Sequence, residues 1–192
     1  AFKLTGIATD ANGDQLVYNW EQYDPANQAT SGANSRVSFT KATGPNFRSN
    51  PHENVPVRYM PKFQYVLDRD VTEMTNTDLT WWRTKWEALT SITRSFTFTF
   101  TARDNNVEGG QTATDNMKVN VVDAGPFKIT NPTEDQNVAL GTNSMSVEWD
   151  VAGTDGGQIN TANVKISFSS DNGETFTIVN ESTPNDGSET IT

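Results

Sequence analysis

The sequence predicts an all-β chain built from two tandem β-sandwich modules, and three observations carry that expectation. Residues 94–104 read RSFTFTFTARD, with Phe96, Phe98 and Phe100 at alternate positions, which is the period-2 signature of a strand with one buried face. Shorter alternating runs recur along the 192 residues, separated by Gly, Asn and Asp turns. Thr, Asn, Asp, Ser and Gly are abundant while helix-forming runs are few, a usage that favours strands joined by polar turns. The length suits one large or two small domains.

Taken in order, Phe2 to Ala8 alternates and reads as the first strand. It leads into Asp10-Ala11-Asn12-Gly13-Asp14, where oxygen-bearing side chains take alternate positions beside a glycine. Gly adopts φ > 0 without a Cβ penalty, so the chain can curl and aim those oxygens inward. Gln15 to Tyr23 is the next strand, with Leu16, Tyr18 and Trp20 on one side and Asp24-Pro25 ending it. An acidic turn feeding a core strand with an inward Trp is the expected entry to an immunoglobulin-like sandwich. Arg36 to Ala42 reads as another strand, Val37 and Phe39 facing one way. Residues 46–63 form an irregular loop whose three prolines forbid regular ladders. Phe47, Arg48, Arg58, Tyr59 and Phe63 are its candidate pins. Thr77 to Leu89 reads as a short helix, capped by Thr77 or Asp78, with Trp82, Trp86 and Leu89 on one face. After the Phe-rich strand, residues 105–110 make a hairpin turn. Gln111 to Asp123 returns with Met117, Val119 and Val121 in phase.

Asp123-Ala124-Gly125-Pro126 marks a boundary. The modules are therefore expected at 1–124, immunoglobulin-like, and 126–192, fibronectin type III-like. The second has strands near 127–130, 144–150, 163–169 and 175–179. Residues 126–192 fall short of the ~100 of a complete sandwich, so this module is expected to be incomplete, with an unpaired edge and lower stability. Both ends of the chain read as cut from something longer.

The net charge of −10 argues against nucleic acid or an anionic membrane as partner. It suits a secreted or cell-surface protein that holds cations, although a solvated acidic surface accounts for most of it. Cysteine is absent, which excludes disulfides, thiolate catalysis and Cys-ligated zinc. No apolar run is long enough to insert in a membrane.

Four groups of residues bear on chemistry. Asp10, Asn12 and Asp14 have the oxygen-rich spacing that Ca²⁺ prefers, without the closing Glu of an EF-hand. A sandwich brings the turn after its first strand near the loop between its last two, so Asp104, Asn105 or Glu108 is expected to complete the site, Asp104 foremost, with Asp123 at the domain junction as a further contributor. The competing reading is an Asx-turn whose carboxylates only cap backbone N–H groups. Ser169-x-Asp171-x-Gly173-x-Thr175-Phe176 resembles the Asp-box hairpin, a structural device. Trp81, beside Trp82, Trp86, Arg83 and Lys85, together with Tyr59, could grip polysaccharide or protein, as in an adhesin-type module; core burial of a short amphipathic helix explains the same letters. His52, the one histidine, lies in a proline-flanked loop and lacks the partners that zinc-protease or Ser–His chemistry requires.

The runs TDANGDQLVYNWEQYD, GPNFRS, VPVRYMP, ARDN, GGQTATDNM and AGPF, then VEWDVAGTD, NVKISFSSDNGETF and TPNDGSETIT, together cover nearly the whole chain. They resemble the region that follows the catalytic domain in large secreted reprolysin-like zinc metalloproteases of Bacteroidetes and related marine bacteria. The entry pattern is also similar to that of PKD and cadherin-like modules, without a cadherin-type linker. The resemblance implies a non-catalytic accessory region, a spacer or substrate-positioning segment partnered by the catalytic domain of the same polypeptide. The family's zinc ligands have no matching positions here.

Overall fold

The computed structural model describes residues 1–26, 32–67, 86–133, 144–171 and 173–192. The chain divides into two compact units, Ala1–Val122 and Asp123–Thr192. It is all-β, its strands paired antiparallel in several small sheets, and α1 (Phe63–Leu67) is the single α-helix among the described residues.

The first unit holds β1 (Phe2–Thr5), β2 (Val17–Gln22), β3 (Val57–Met60), β4 (Arg94–Arg103) and β5 (Thr112–Val121). One sheet has the order β2-β4-β5 and the other pairs β1 with β3. As the alternation in β4 requires, Phe96, Phe98 and Phe100 are buried. They join Leu4, Trp20, Phe47 and Met60 in one cluster fed by both sheets. Burying a Phe is worth ~1.5–3 kcal/mol, against ~1 kcal/mol for a ladder hydrogen bond. The three rings therefore decide which face of β4 turns inward. Trp20 pairs with Phe100 and Val17 with Arg103. Gly6 lies so close that an added Cβ would sit 2.3 Å from the Phe100 ring.

Three expectations are corrected. Residues 36–42 form no strand, although Val37 and Phe39 are buried as the pattern implied, in a separate small cluster with Ala88. The physical reason is Asn46, whose amide stands in for a neighbouring strand. Its Nδ2 donates to Ser38 O at 2.8 Å, and its Oδ1 accepts from Ser38 N at 3.3 Å. The expected helix over 77–89 has residues 77–85, with Trp81 and Trp82, outside the described residues. Its described end is not helical. Trp86 has φ of 56° and is 48% exposed, and Ala88 N–H donates to Asn46 O at 3.0 Å in an extended chain. Conversely, the proline-flanked residues Val57–Met60 do make a strand, because it is needed only to pair β1 along one side.

Two buried cations hold the irregular segments. Arg58 pairs with Glu87 at 2.7 Å, their side chains 10% and 1% exposed. Its guanidinium also donates to Trp20 O and Arg48 O, and Glu87 Oε2 accepts the Lys62 N–H at 2.7 Å. Burial pulls the Arg58 pKa below its ordinary value, with Glu87 opposing. Arg94 donates to Lys41 O at 2.7 Å and Gly44 O at 2.8 Å and lies over the Phe96 ring at 4.2 Å. Of the expected pins, Phe47 enters the core, Arg58 forms the ion pair and Tyr59 packs on Phe63 at 4.9 Å. Arg48 contributes its backbone carbonyl.

The second unit holds β6 (Lys128–Asn131), β7 (Met145–Asp150), β8 (Asn163–Phe168), β9 (Thr177–Pro184) and β10 (Ser188–Ile191), in sheets ordered β10-β7-β6 and β8-β9. Its centre is Trp149, 6% exposed, whose indole N–H donates to Asn185 Oδ1 at 2.9 Å. Asn185 is itself buried and reaches Thr154 Oγ1 and Thr161 O. Many alternating apolar residues stay open to solvent, with Ile129 at 56%, Ile178 at 51% and Phe168 at 61%.

Removing one member of a buried ion pair strands the other, at a cost of ~3–5 kcal/mol. Glu87→Ala is therefore expected to destabilise the first unit by about that amount, as read from chemical-denaturation midpoints. A loss below ~1 kcal/mol, the scale of a surface pair, would show that Arg58 finds water instead.

Candidate functional site

The β2–β4 pairing sets the site. Because Val17 faces Arg103 in antiparallel register, the turn that precedes β2 and the turn that follows β4 emerge at the same end of the sheet. Oxygens of Asp10, Asp14 and Asp104 there lie within 4.8 Å of one another. The sequence-expected residues Asp10, Asp14 and Asp104 are thus brought together across about ninety positions of chain, a closure whose entropy cost is carried by the sheet rather than the site.

Each turn is shaped by its own carboxylate. Asp10 Oδ1 accepts the N–H of Asn12 at 3.1 Å and of Asp14 at 2.9 Å. Gly13 takes φ of 83° to allow that curl. Asp104 Oδ1 accepts the N–H of Asn106 at 3.2 Å and of Gln111 at 2.7 Å. Asp14 Oδ2 receives two amides, Asn12 Nδ2 at 2.9 Å and Asn106 Nδ2 at 2.8 Å. The backbone capping expected of Asx-turns is therefore present at Asp10 and Asp104, while Asp14 takes side-chain amides instead, and in each of the three carboxylates one oxygen is occupied. Asp10 Oδ2, Asp14 Oδ1 and Asp104 Oδ2 accept no protein hydrogen bond among the described residues.

Asn12 lies in the first of these turns, its Nδ2 spent on Asp14 and its side-chain oxygen without a protein donor among the described residues. Asn106 is the residue that sequence reasoning missed. It stitches the second turn to Asp14, and no local pattern signals a partner so far away in the chain. Glu108 does not join the cluster; its N–H donates to Asn106 Oδ1 at 2.8 Å. The turns border an open depression of about 510 Å³ lined also by Gln15, Asn54 and Asn105.

The other candidates are placed as follows. Trp81 lies outside the described residues. Tyr59 is half-buried, with Phe63 against its ring and the Lys3 ammonium 5.9 Å from its centroid. His52 is exposed, with no hydrogen-bond or ion-pair partner among the described residues. In the second unit Asp171 organises the Asp-box turn. It accepts the Thr175 hydroxyl, the Thr175 N–H at 2.9 Å and the Ser169 hydroxyl at 2.8 Å. Those bonds, the Thr175 hydroxyl foremost, favour the carboxylate and lower its pKa from 3.8 to about 2.

A depressed carboxyl pKa contributes stability above the unfolded value that is lost as pH falls through the folded one. The turn is thus expected to hold at pH 4 and to loosen between 3.8 and about 2. An NMR titration of the Asp171 carboxyl reads this directly, and Thr175→Val is expected to move its midpoint up. A midpoint near 3.8 in the unaltered chain would show that the bonds do not persist in solution.

No protein-family model, no curated protein and no solved structure matches this chain.

Proposed function

We propose that this chain is a non-catalytic, calcium-stabilised scaffold of two immunoglobulin/fibronectin-like sandwich units, serving as a spacer or substrate-positioning region in a secreted or cell-surface polypeptide that carries a metalloprotease. The observation that carries the reading is the convergence of Asp10, Asp14 and Asp104 from two loops at one sheet end. Each has an oxygen not engaged by a protein donor.

Two unit charges 4 Å apart repel by about 1 kcal/mol in water and about 4 kcal/mol at an effective dielectric of about 20. Gathering three carboxylates therefore costs stability unless a cation offsets it. Calcium suits the donors, since it takes oxygen ligands in flexible geometry and accepts carboxylates, amide carbonyls and water together. A cation held there would clamp the entry to β2 against the exit from β4 and stiffen the end of the unit, which is the property a spacer needs. The parent enzyme and its location rest on the family resemblance. The non-catalytic reading is supported by the setting of His52, which among the described residues has no orienting carboxylate of the kind general-base work requires.

A ligand that binds only the folded state stabilises it by mass action. Calcium at roughly 100 times its Kd is expected to add about 2.7 kcal/mol, seen as a higher melting midpoint reversed by EGTA. Asp104→Asn keeps an oxygen to accept the Asn106 and Gln111 N–H groups but removes the charge. It is expected to fold in EGTA and lose most of the calcium response. An unchanged midpoint in the unaltered chain would remove the cation from the proposal.

A further inference from the structure

Two Asn-Gly steps occur in this chain with closely similar flanks, Ala-Asn12-Gly13-Asp and Asp-Asn172-Gly173-Glu. At such steps the glycine nitrogen can attack the asparagine side-chain carbonyl, because no Cβ on the following residue blocks the approach. On sequence alone the two steps have equal standing.

The structure separates their nucleophiles. Gly173 N–H donates to Ser169 Oγ at 2.8 Å, inside the Asp-box turn. Removing its proton and turning its lone pair to an attack would break that bond. Gly13 N–H has no partner among the described residues. A Cβ built on Gly13 would meet nothing within 4 Å, and both Asn12 and Gly13 are exposed. The Asn12 side chain is held through its Nδ2, which donates to Asp14 Oδ2 at 2.9 Å, and no protein donor among the described residues engages its carbonyl oxygen.

We propose that Asn12 is a self-modification site of the folded chain, at which the side-chain amide is lost to the backbone. Solvent base removes the Gly13 N–H proton and the nitrogen bonds to Asn12 Cγ. The Cγ–Nδ2 bond then breaks, and Nδ2 leaves as ammonia after taking up a proton. Water opens the resulting five-membered imide at one carbonyl or the other, leaving aspartate or isoaspartate at position 12. No electrons are transferred, and water is the only co-reactant. Each conversion adds one negative charge to the loop that already holds Asp10, Asp14 and Asp104. The isoaspartyl product also lengthens the backbone by one carbon between Asp10 and Asp14.

The test follows both peptides in one sample of the full chain, held warm at mildly alkaline pH with EGTA, by mass spectrometry and isoaspartyl methyltransferase labelling. EGTA keeps the outcome independent of the calcium reading. In the folded chain the Asn12 peptide is expected to convert several-fold faster than the Asn172 peptide, and in denaturant the two rates are expected to converge. Ser169→Ala, which frees Gly173 N–H, is expected to speed conversion at Asn172 and leave Asn12 unchanged. Equal native rates, a faster Asn172, or a ratio that denaturant does not change would each overturn the proposal.

Discussion

The first unit depends on one constraint, the inward burial of three phenylalanines spaced two apart on β4. A strand has only two faces, so a slip of one residue in its pairing would send Phe96, Phe98 and Phe100 to solvent together. With each ring worth ~1.5–3 kcal/mol, that penalty outweighs any gain available from a different hydrogen-bond pairing. The register of β4 against β2 follows, Trp20 opposite Phe100 and Val17 opposite Arg103. The placement of the acidic turns follows in turn. The carboxylate cluster is a consequence of hydrophobic register before it is a matter of charge.

A different physics holds the irregular segments. Where prolines rule out ladders, buried cations take over the unpaired carbonyls: Arg58 those of Trp20 and Arg48, Arg94 those of Lys41 and Gly44. Arginine suits this role because its planar fork offers several donors at fixed angles and stays charged even when desolvated. The bonds to carbonyls and to Glu87 compensate the charge taken out of water. Asn46 does the same with a neutral amide. The second unit has a smaller buried centre, and its one deeply buried indole is tied to Asn185, a polar node rather than a ring stack. Stability there leans more on directional bonds and turn chemistry, of which the Asp-box at Asp171 is the clearest case.

The two carboxylate devices of this chain differ in kind. Asp171 is satisfied within its own turn, every bond made to residues at most four positions away, and so needs no ligand to explain it. Asp10, Asp14 and Asp104 are each half satisfied and face one another across the sheet end. That difference is what makes one a turn element and the other a candidate cation site.

The sequence by itself determined the all-β character, the alternating strands, the turn positions and the shape of the Asp-box, because these rest on interactions within a few residues. It also pointed to Asp10, Asp14 and Asp104, since the sandwich expectation implied that their loops share an end. Tertiary structure alone decided the rest. The burial of Val37 and Phe39 without a strand, the left-handed turn at Trp86 and the Arg58–Glu87 pair all arise from partners far away in the chain, which no local period encodes. Asn106 joins Asp14 for the same reason. Two Asn-Gly steps that read alike differ only because folding gives one glycine nitrogen a hydroxyl partner and leaves the other to water.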